Sequence, residues 1–210
     1  MKKIILCEGE NDVVFLENVL KKLVDEKYID VFRQSQNKEK RSQSRKIASF
    51  LNPFNSREIL AKEENGWQKM IKVFCSENSR FLCECNTMLL LDADYESFDR
   101  SIKGYTNEIK RKMNSNASNI KCKTFCEDLR TFNFEGRESI KTFKINLLFN
   151  SRKTTFQRNF LITLFKPDFE EFAGIRTTDR RNEINEKIQA VVDNEKIISF
   201  FKHVCNKMSL

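Results

Sequence analysis

The chain has 210 residues, a length that suits one domain, and 40% of them are hydrophobic, which is enough for a buried core. Lys and Arg outnumber Asp and Glu by 38 to 30, and the resulting net charge of +8 favours a polyanionic partner, usually nucleic acid. With five glycines there is no GxGxxG or Walker A loop, and the single histidine, His203, argues against His-rich metal sites and against Ser–His or Cys–His catalysis.

Two features of the sequence bear on where the protein works. No apolar run approaches the roughly 20 residues of a membrane span, and the apolar N-terminal stretch is too short for a signal peptide. The seven cysteines are an odd set, and their spacings at Cys83–Cys85 and Cys122–Cys126 differ from the CxxC of zinc knuckles. We therefore expect a cytoplasmic protein without a membrane partner, in which the thiols are reduced.

A strand followed by a helix is predicted at the start of the chain. Residues 2–7 contain contiguous apolar residues typical of a buried strand, and apolar residues recur at helical spacing over 13–24. A polar turn lies between them, with Glu8 at the end of the strand and Asn11 in the expected N-cap region. Ligand sites in open α/β sheets form at such strand ends.

The next part of the chain is less regular. A short strand is expected over 28–32, and a mixed, partly helical stretch over 47–79. The window 33–46 between them holds six basic residues against one acid, which is typical either of a solvated loop or of a nucleic-acid contact. Its basic residues are Arg33, Lys38, Lys40, Arg41, Arg45 and Lys46.

A second strand and helix follow. Residues 87–91 form a predicted buried strand that runs directly into Asp92 and Asp94, and a charged helix is predicted from Phe98 to about Met113. In an extended strand end, residues two apart point the same way, so these two aspartates are placed to hold one ion together.

The last third of the chain again predicts a strand that is followed by acids and a helix. Short strand-like pieces are expected over 120–126 and 140–149, and a buried strand over 160–165. Pro167 then marks a helix start whose first-turn acids suit the helix dipole, and the last thirty residues predict one or two helices. The acids that follow this third strand are Asp168, Glu170 and Glu171.

Acids therefore follow three predicted strands, and in a parallel sheet they would converge at one edge. Converging carboxylates repel one another unless a cation neutralises them, and oxygen ligands without His or Cys favour Mg²⁺ or Mn²⁺. In a basic protein, such a cluster is typical of phosphodiester chemistry.

The strand–Glu8-Gly9-x-x-Asp12–helix unit, with a later strand ending in Asp92-x-Asp94, resembles the Toprim domain of primases, topoisomerases, overcoming-lysogenization-defect (OLD) nucleases and small maturation ribonucleases. The Glu8/Asp12 pair and the later acidic element are most similar to the OLD-type branch. The resemblance covers residues 1–25, 86–100 and 160–174.

The resemblance implies a Toprim-like, Rossmann-like α/β domain over 1–210, with a mostly parallel sheet flanked by helices. The long gap between its motifs implies an insertion over 33–80, and 175–210 is expected to be a C-terminal helical extension. Since OLD-type proteins usually carry an ATPase domain and this chain has no P-loop, it also implies a separate ATPase partner and a role in defence against phage or plasmids.

The resemblance also assigns roles. Glu8, Asp92 and Asp94 would hold Mg²⁺ or Mn²⁺ at the scissile phosphate, and Asp12 and the 168–171 acids would hold a second ion. Independently of the resemblance, the position of Lys166 just after the last predicted strand places it to stabilise the transition state. The activity implied is a metal-dependent nuclease acting on DNA or RNA. The alternatives are an RNA-maturation ribonuclease and a non-catalytic Toprim scaffold that binds nucleic acid or a partner protein.

A second basic window lies between residues 137 and 166, with seven basic residues against one acid. Its excess of positive charge predicts a nucleic-acid-binding surface along the approach to the acids, although an idle basic surface has the same composition. The predicted phosphate contacts are Lys141, Lys144, Arg152, Lys153 and Arg158.

Overall fold

The computed structural model describes residues 1–33, 42–76, 84–93, 97–116, 121–150 and 155–208. The strands are β1 (Lys2–Cys7), β2 (Ile29–Phe32), β3 (Ile59–Glu63), β4 (Cys85–Asp92), β5 (Lys121–Phe134), β6 (Arg137–Asn150) and β7 (Thr155–Phe165). The helices are α1 (Glu10–Leu23), α2 (Ser42–Leu51), α3 (Trp67–Ser76), α4 (Phe98–Asn116), the single turn α5 (Phe169–Phe172), α6 (Arg181–Val192) and α7 (Glu195–Lys207).

The seven strands form one sheet in the order β2-β3-β1-β4-β7-β6-β5. The pairs from β2 to β7 are parallel, and β7, β6 and β5 are antiparallel neighbours. The central parallel strands are covered on both faces, which explains why β1 and β4 are almost continuously apolar.

Helices cover both faces of the sheet and bury a separate core on each. One core packs α1, α6 and α7 on the sheet, with Phe15 at its centre. The other packs α2, α3 and α4, and α4 supplies a stripe at helical spacing: Phe98, Ile102, Tyr105, Ile109 and Met113. The predicted α/β class, with a mostly parallel sheet between helices, is confirmed.

Several elements differ from the expectation. The strand-like pieces predicted over 120–126 and 140–149 belong to a long hairpin, β5–β6, whose strands run over 121–134 and 137–150. The N-cap of α1 is Gly9 and not Asn11, because the Asp12 side chain already bonds the backbone N–H of Gly9.

The segments predicted as an insertion and as a C-terminal extension are both packed into the domain. Within 33–80, strand β3 lies between β2 and β1 in the sheet, in register with both. Within 175–210, α7 buries Phe200 and Phe201 against the sheet. The part of the chain that the structure describes contains no helix long and apolar enough to cross a membrane.

Candidate active site

Acidic side chains collect where the parallel strands end. Glu8 follows β1, Asp92 ends β4, and α5 carries Glu170 just beyond β7. Because parallel strands end at the same edge of a sheet, these acids from distant parts of the sequence come together there. The end of β3 adds Glu63, which is 2% exposed and lies in register with Cys7.

Asp12 is fixed at the first turn of α1. Its Oδ2 accepts a 2.8 Å hydrogen bond from the N–H of Gly9, and its side chain is 4% exposed. A Cβ on Gly9 would lie 3.3 Å from this oxygen, so glycine leaves room for the carboxylate. Burial, and then the charges of Asp92, Glu170 and Glu8, raise the pKa of Asp12 well above its usual value, although the Gly9 bond opposes this.

Asp92 links β1, β4 and the start of α5. Its Oδ1 accepts a 2.9 Å bond from the N–H of Phe169, and its own N–H donates to Oε2 of Glu8 at 3.3 Å. Burial raises the pKa of Asp92 to about 7, assisted by the charges of Glu8, Glu170 and Asp168 and opposed by the Phe169 bond. A proton or a cation is therefore needed to relieve the repulsion among these acids.

Glu170 is held by a polar bridge from α1. Nδ2 of Asn11 donates to Oε1 of Glu170 at 2.9 Å. Arg181, at the start of α6, donates to Oδ1 of Asn11 at 3.3 Å and to Oε1 of Glu10 at 2.9 Å. The helices α1, α5 and α6 thus meet at the N-terminal end of α1.

The chemistry of these side chains suits a hard divalent cation, since the donors are carboxylate oxygens and two of them, on Asp12 and Asp92, have raised pKa values. Within the described residues, however, no group of three or more His, Cys, Asp or Glu side chains stands in an arrangement that could hold a metal ion. In this arrangement Asp12 and Asp92 each direct one oxygen to a backbone N–H.

The remaining predicted site acids lie at the edge of the cluster. Oδ1 of Asp168 caps α5 by accepting from the N–H of Glu171 at 2.7 Å. Glu171 is exposed and lines an open groove of about 760 Å³ together with Lys166 and Arg137. The ammonium of Lys166 lies 5.7 Å from the ring centre of Phe98, on the α4 side of the sheet. Asp94, the partner of Asp92 in the motif, lies outside the described residues.

The structure divides the predicted phosphate contacts between the two ends of the sheet. Lys141 is near the acidic edge, but its ammonium pairs with Asp128 at 2.7 Å. Lys144 lines a cavity at the amino end of β4, beside Lys207, and Arg158 is seven residues before the end of β7, roughly 23 Å along the strand. Lys144 and Arg158 therefore do not line the approach to the acids, because β6 and β7 carry them toward the opposite edge.

Two basic residues of the first window form ion pairs with acids, and several others of the two windows lie outside the described residues. Arg33 pairs with Glu17, and Lys46 pairs with Asp30 at 2.8 Å. Arg152 and Lys153, and likewise Lys38, Lys40 and Arg41, lie outside the described residues.

Sequence reasoning missed the residues that support the acids. Asn11 stood within the predicted turn, but only the fold shows that it reaches Glu170. Glu63 ends the short apolar run of β3, which was a usable signal within a stretch predicted as mixed. Arg181 has no local signal, since its partners on α1 lie about 170 residues away.

Searches among protein-family models, curated proteins and solved structures find no match to this chain. Its function is therefore inferred from the residues and their arrangement.

Proposed function

We propose that this chain is a Toprim-type phosphodiesterase that cleaves nucleic acid with the help of Mg²⁺ or Mn²⁺. The observation that carries the proposal is the meeting of Glu8, Asp12, Asp92 and Glu170 at one sheet edge, where burial and mutual repulsion raise the pKa values of both aspartates. A cluster of this kind gains stability from a bound cation. The order of Glu8, Asp92 and Glu170 along the chain, at or after the ends of β1, β4 and β7, agrees with the Toprim pattern in the sequence.

Each residue has a defined task in this proposal. Glu8, Asp12, Asp92 and Glu170 would hold the cation, which supplies charge stabilisation of the phosphate and activation of water. The backbone N–H groups of Gly9 and Phe169 orient the two aspartates. Asn11 orients Glu170. Lys166, whose ammonium lies 5.7 Å from the ring centre of Phe98, would stabilise the transition state.

The test combines metal binding with cleavage. Calorimetric titration with Mn²⁺ should give binding by the wild-type chain, and plasmid DNA, single-stranded DNA and RNA should reveal a substrate that is cut. Glu8→Gln and Asp92→Asn should each lower the cleavage rate by at least about 100-fold, since charge stabilisation by the metal is worth several kcal/mol. Glu26→Gln is the matched control, because this exposed carboxylate lies beyond the opposite end of α1.

A non-catalytic scaffold is the second candidate, favoured by the absence of a metal-ready group of side chains among the described residues. It predicts nucleic-acid or protein binding with neither Mn²⁺ uptake nor cleavage. Metal binding that is unchanged in Asp92→Asn would contradict the enzymatic proposal. The OLD-like pattern extends that proposal to a defence role with an ATPase on a separate chain, for which copurification is the test.

A further inference from the structure

The segment from Arg176 to Arg181, called here the arginine segment, lies between α5, which carries Glu170, and α1, which carries Asp12. Just before it, the N–H of Ile175 donates to the carbonyl oxygen of Glu170 at 2.7 Å. At its end, Arg181 bonds Glu10 and Asn11 on α1. With both ends anchored there, the segment lies beside the acidic edge of the sheet.

Internal bonds hold this segment in one conformation. Nζ of Lys187 donates to the carbonyl oxygen of Gly174 at 2.7 Å and to Oδ2 of Asp179 at 2.6 Å. The same Asp179 oxygen accepts from the N–H of Arg176 at 2.6 Å. A surface fixed in this way loses little conformational entropy when it binds a partner.

The one acid of the segment, Asp179, is largely buried, whereas Arg176 and Arg180 are exposed. Asp179 is neutralised by Lys187. Glu183, which is exposed in the first turn of α6, accepts a 2.6 Å hydrogen bond from the N–H of Arg180. The segment itself therefore presents mainly positive charge to solvent.

We propose that Arg176 and Arg180 bind the phosphate backbone of the nucleic acid next to the bond that is cut. This inference rests on the proposed function, which supplies the polyanionic substrate. Arginine binds phosphate through paired N–H donors. Among the basic residues that composition had indicated, Lys141 is paired and Lys144 and Arg158 lie toward the other edge, so these two arginines are better placed.

The experiment compares two double charge reversals of equal size. Arg176→Glu with Arg180→Glu is set against Lys144→Glu with Arg158→Glu, both in an Asp92→Asn background that prevents cleavage. Affinity for a labelled DNA or RNA oligonucleotide is measured by fluorescence anisotropy across a salt series. Far-ultraviolet circular dichroism and the unfolding midpoint confirm that each variant folds.

The arginine pair should weaken binding and flatten the plot of log Kd against log salt concentration by about one to two, since each phosphate contact contributes roughly 0.7 to 0.9 to the slope. The Lys144/Arg158 pair should change the slope by less than half of that. An equal change in both pairs, or a larger one in the Lys144/Arg158 pair, overturns the inference. Binding that depends on Arg176 and Arg180, without any cleavage by the wild-type chain, overturns the proposed function alone.

Discussion

Asp92 shows how a single residue ties the acidic edge to the stability of the protein. Its pKa is raised to about 7 by burial and by the neighbouring acids. Between about pH 4 and pH 7, the folded metal-free protein therefore keeps a proton that an unfolded chain has lost. Native proton binding exceeds unfolded binding in this window, so the free energy of unfolding falls as the pH rises through it.

We predict that Asp92→Asn stabilises the metal-free protein at pH 8 and has little effect at pH 4. The amide oxygen can still accept the bond from Phe169, while the buried negative charge is removed. The gain at pH 8 is expected to be on the order of 2–4 kcal/mol. Urea unfolding in EDTA at the two pH values measures it.

The control for this prediction is Asp193→Asn. Lys22 and Gln189 hold the pKa of Asp193 below its usual value, so its removal should give no stabilisation at pH 8. Equal gains at both pH values in Asp92→Asn would show that the repulsion among the acids does not set the stability of this edge.

At the scale of one element, strand β3 ends in a buried ion pair. Its end buries Lys62 and the adjoining Glu64, both fully, as a hydrogen-bonded ion pair. Nζ of Lys62 also lies 5.4 Å from the ring centre of Phe32, while Oε2 of Glu64 has no hydrogen-bond partner in the described part of the chain. Burial opposes the charged form of each group, lowering the pKa of Lys62 and raising that of Glu64.

We predict that Lys62→Met destabilises the protein by about 3–5 kcal/mol, because it leaves the Glu64 carboxylate buried without its cation. The double variant Lys62→Met with Glu64→Met should lose clearly less, since neither charge remains. Lys27→Met is the matched control: its pair with Asp25 is exposed and should contribute at most about 1 kcal/mol. Denaturant unfolding compares the three, and equal losses in the single and double variants would exclude coupling between the two charges.

At the scale of the whole molecule, the C-terminal helices belong to the same core as the N-terminal unit. Phe201 on α7 is fully buried, and its ring meets that of Phe15 edge-on, 5.4 Å between centres. Phe15 in turn contacts Phe165 at the end of β7 and Phe169 on α5. These aromatic contacts join α7 to the elements that carry the acids.

We predict that Phe201→Ala lowers the free energy of unfolding by about 3–5 kcal/mol, because it opens a cavity in this core. Phe54→Ala removes the same side chain where it is 97% exposed and should change stability by no more than about 0.5 kcal/mol. Thermal and urea unfolding measure both. A small loss in Phe201→Ala would show that α7 is a dispensable appendage.

The sequence by itself predicted the strands that carry the acids. Parallel strands buried on both faces need continuous apolar runs, so β1, β4 and β7 were recognisable, with Glu8 directly after β1, Asp92 at the end of β4 and Glu170 five residues after β7. Local apolar spacing likewise predicted α1, and a charged stretch after Asp94 predicted α4. These features depend on residues near one another in the chain, so they can be predicted from the local order of apolar and charged residues.

The tertiary structure decided what depends on strand order, length and direction. It placed β3 beside β1, joined Asn11 to Arg181 across about 170 residues, and separated Lys144 and Arg158 from the acids. Composition could count the positive charges between residues 137 and 166. Their position relative to the acidic edge was set by the long antiparallel strands, because side chains a few residues apart on such strands lie many ångströms apart along the sheet.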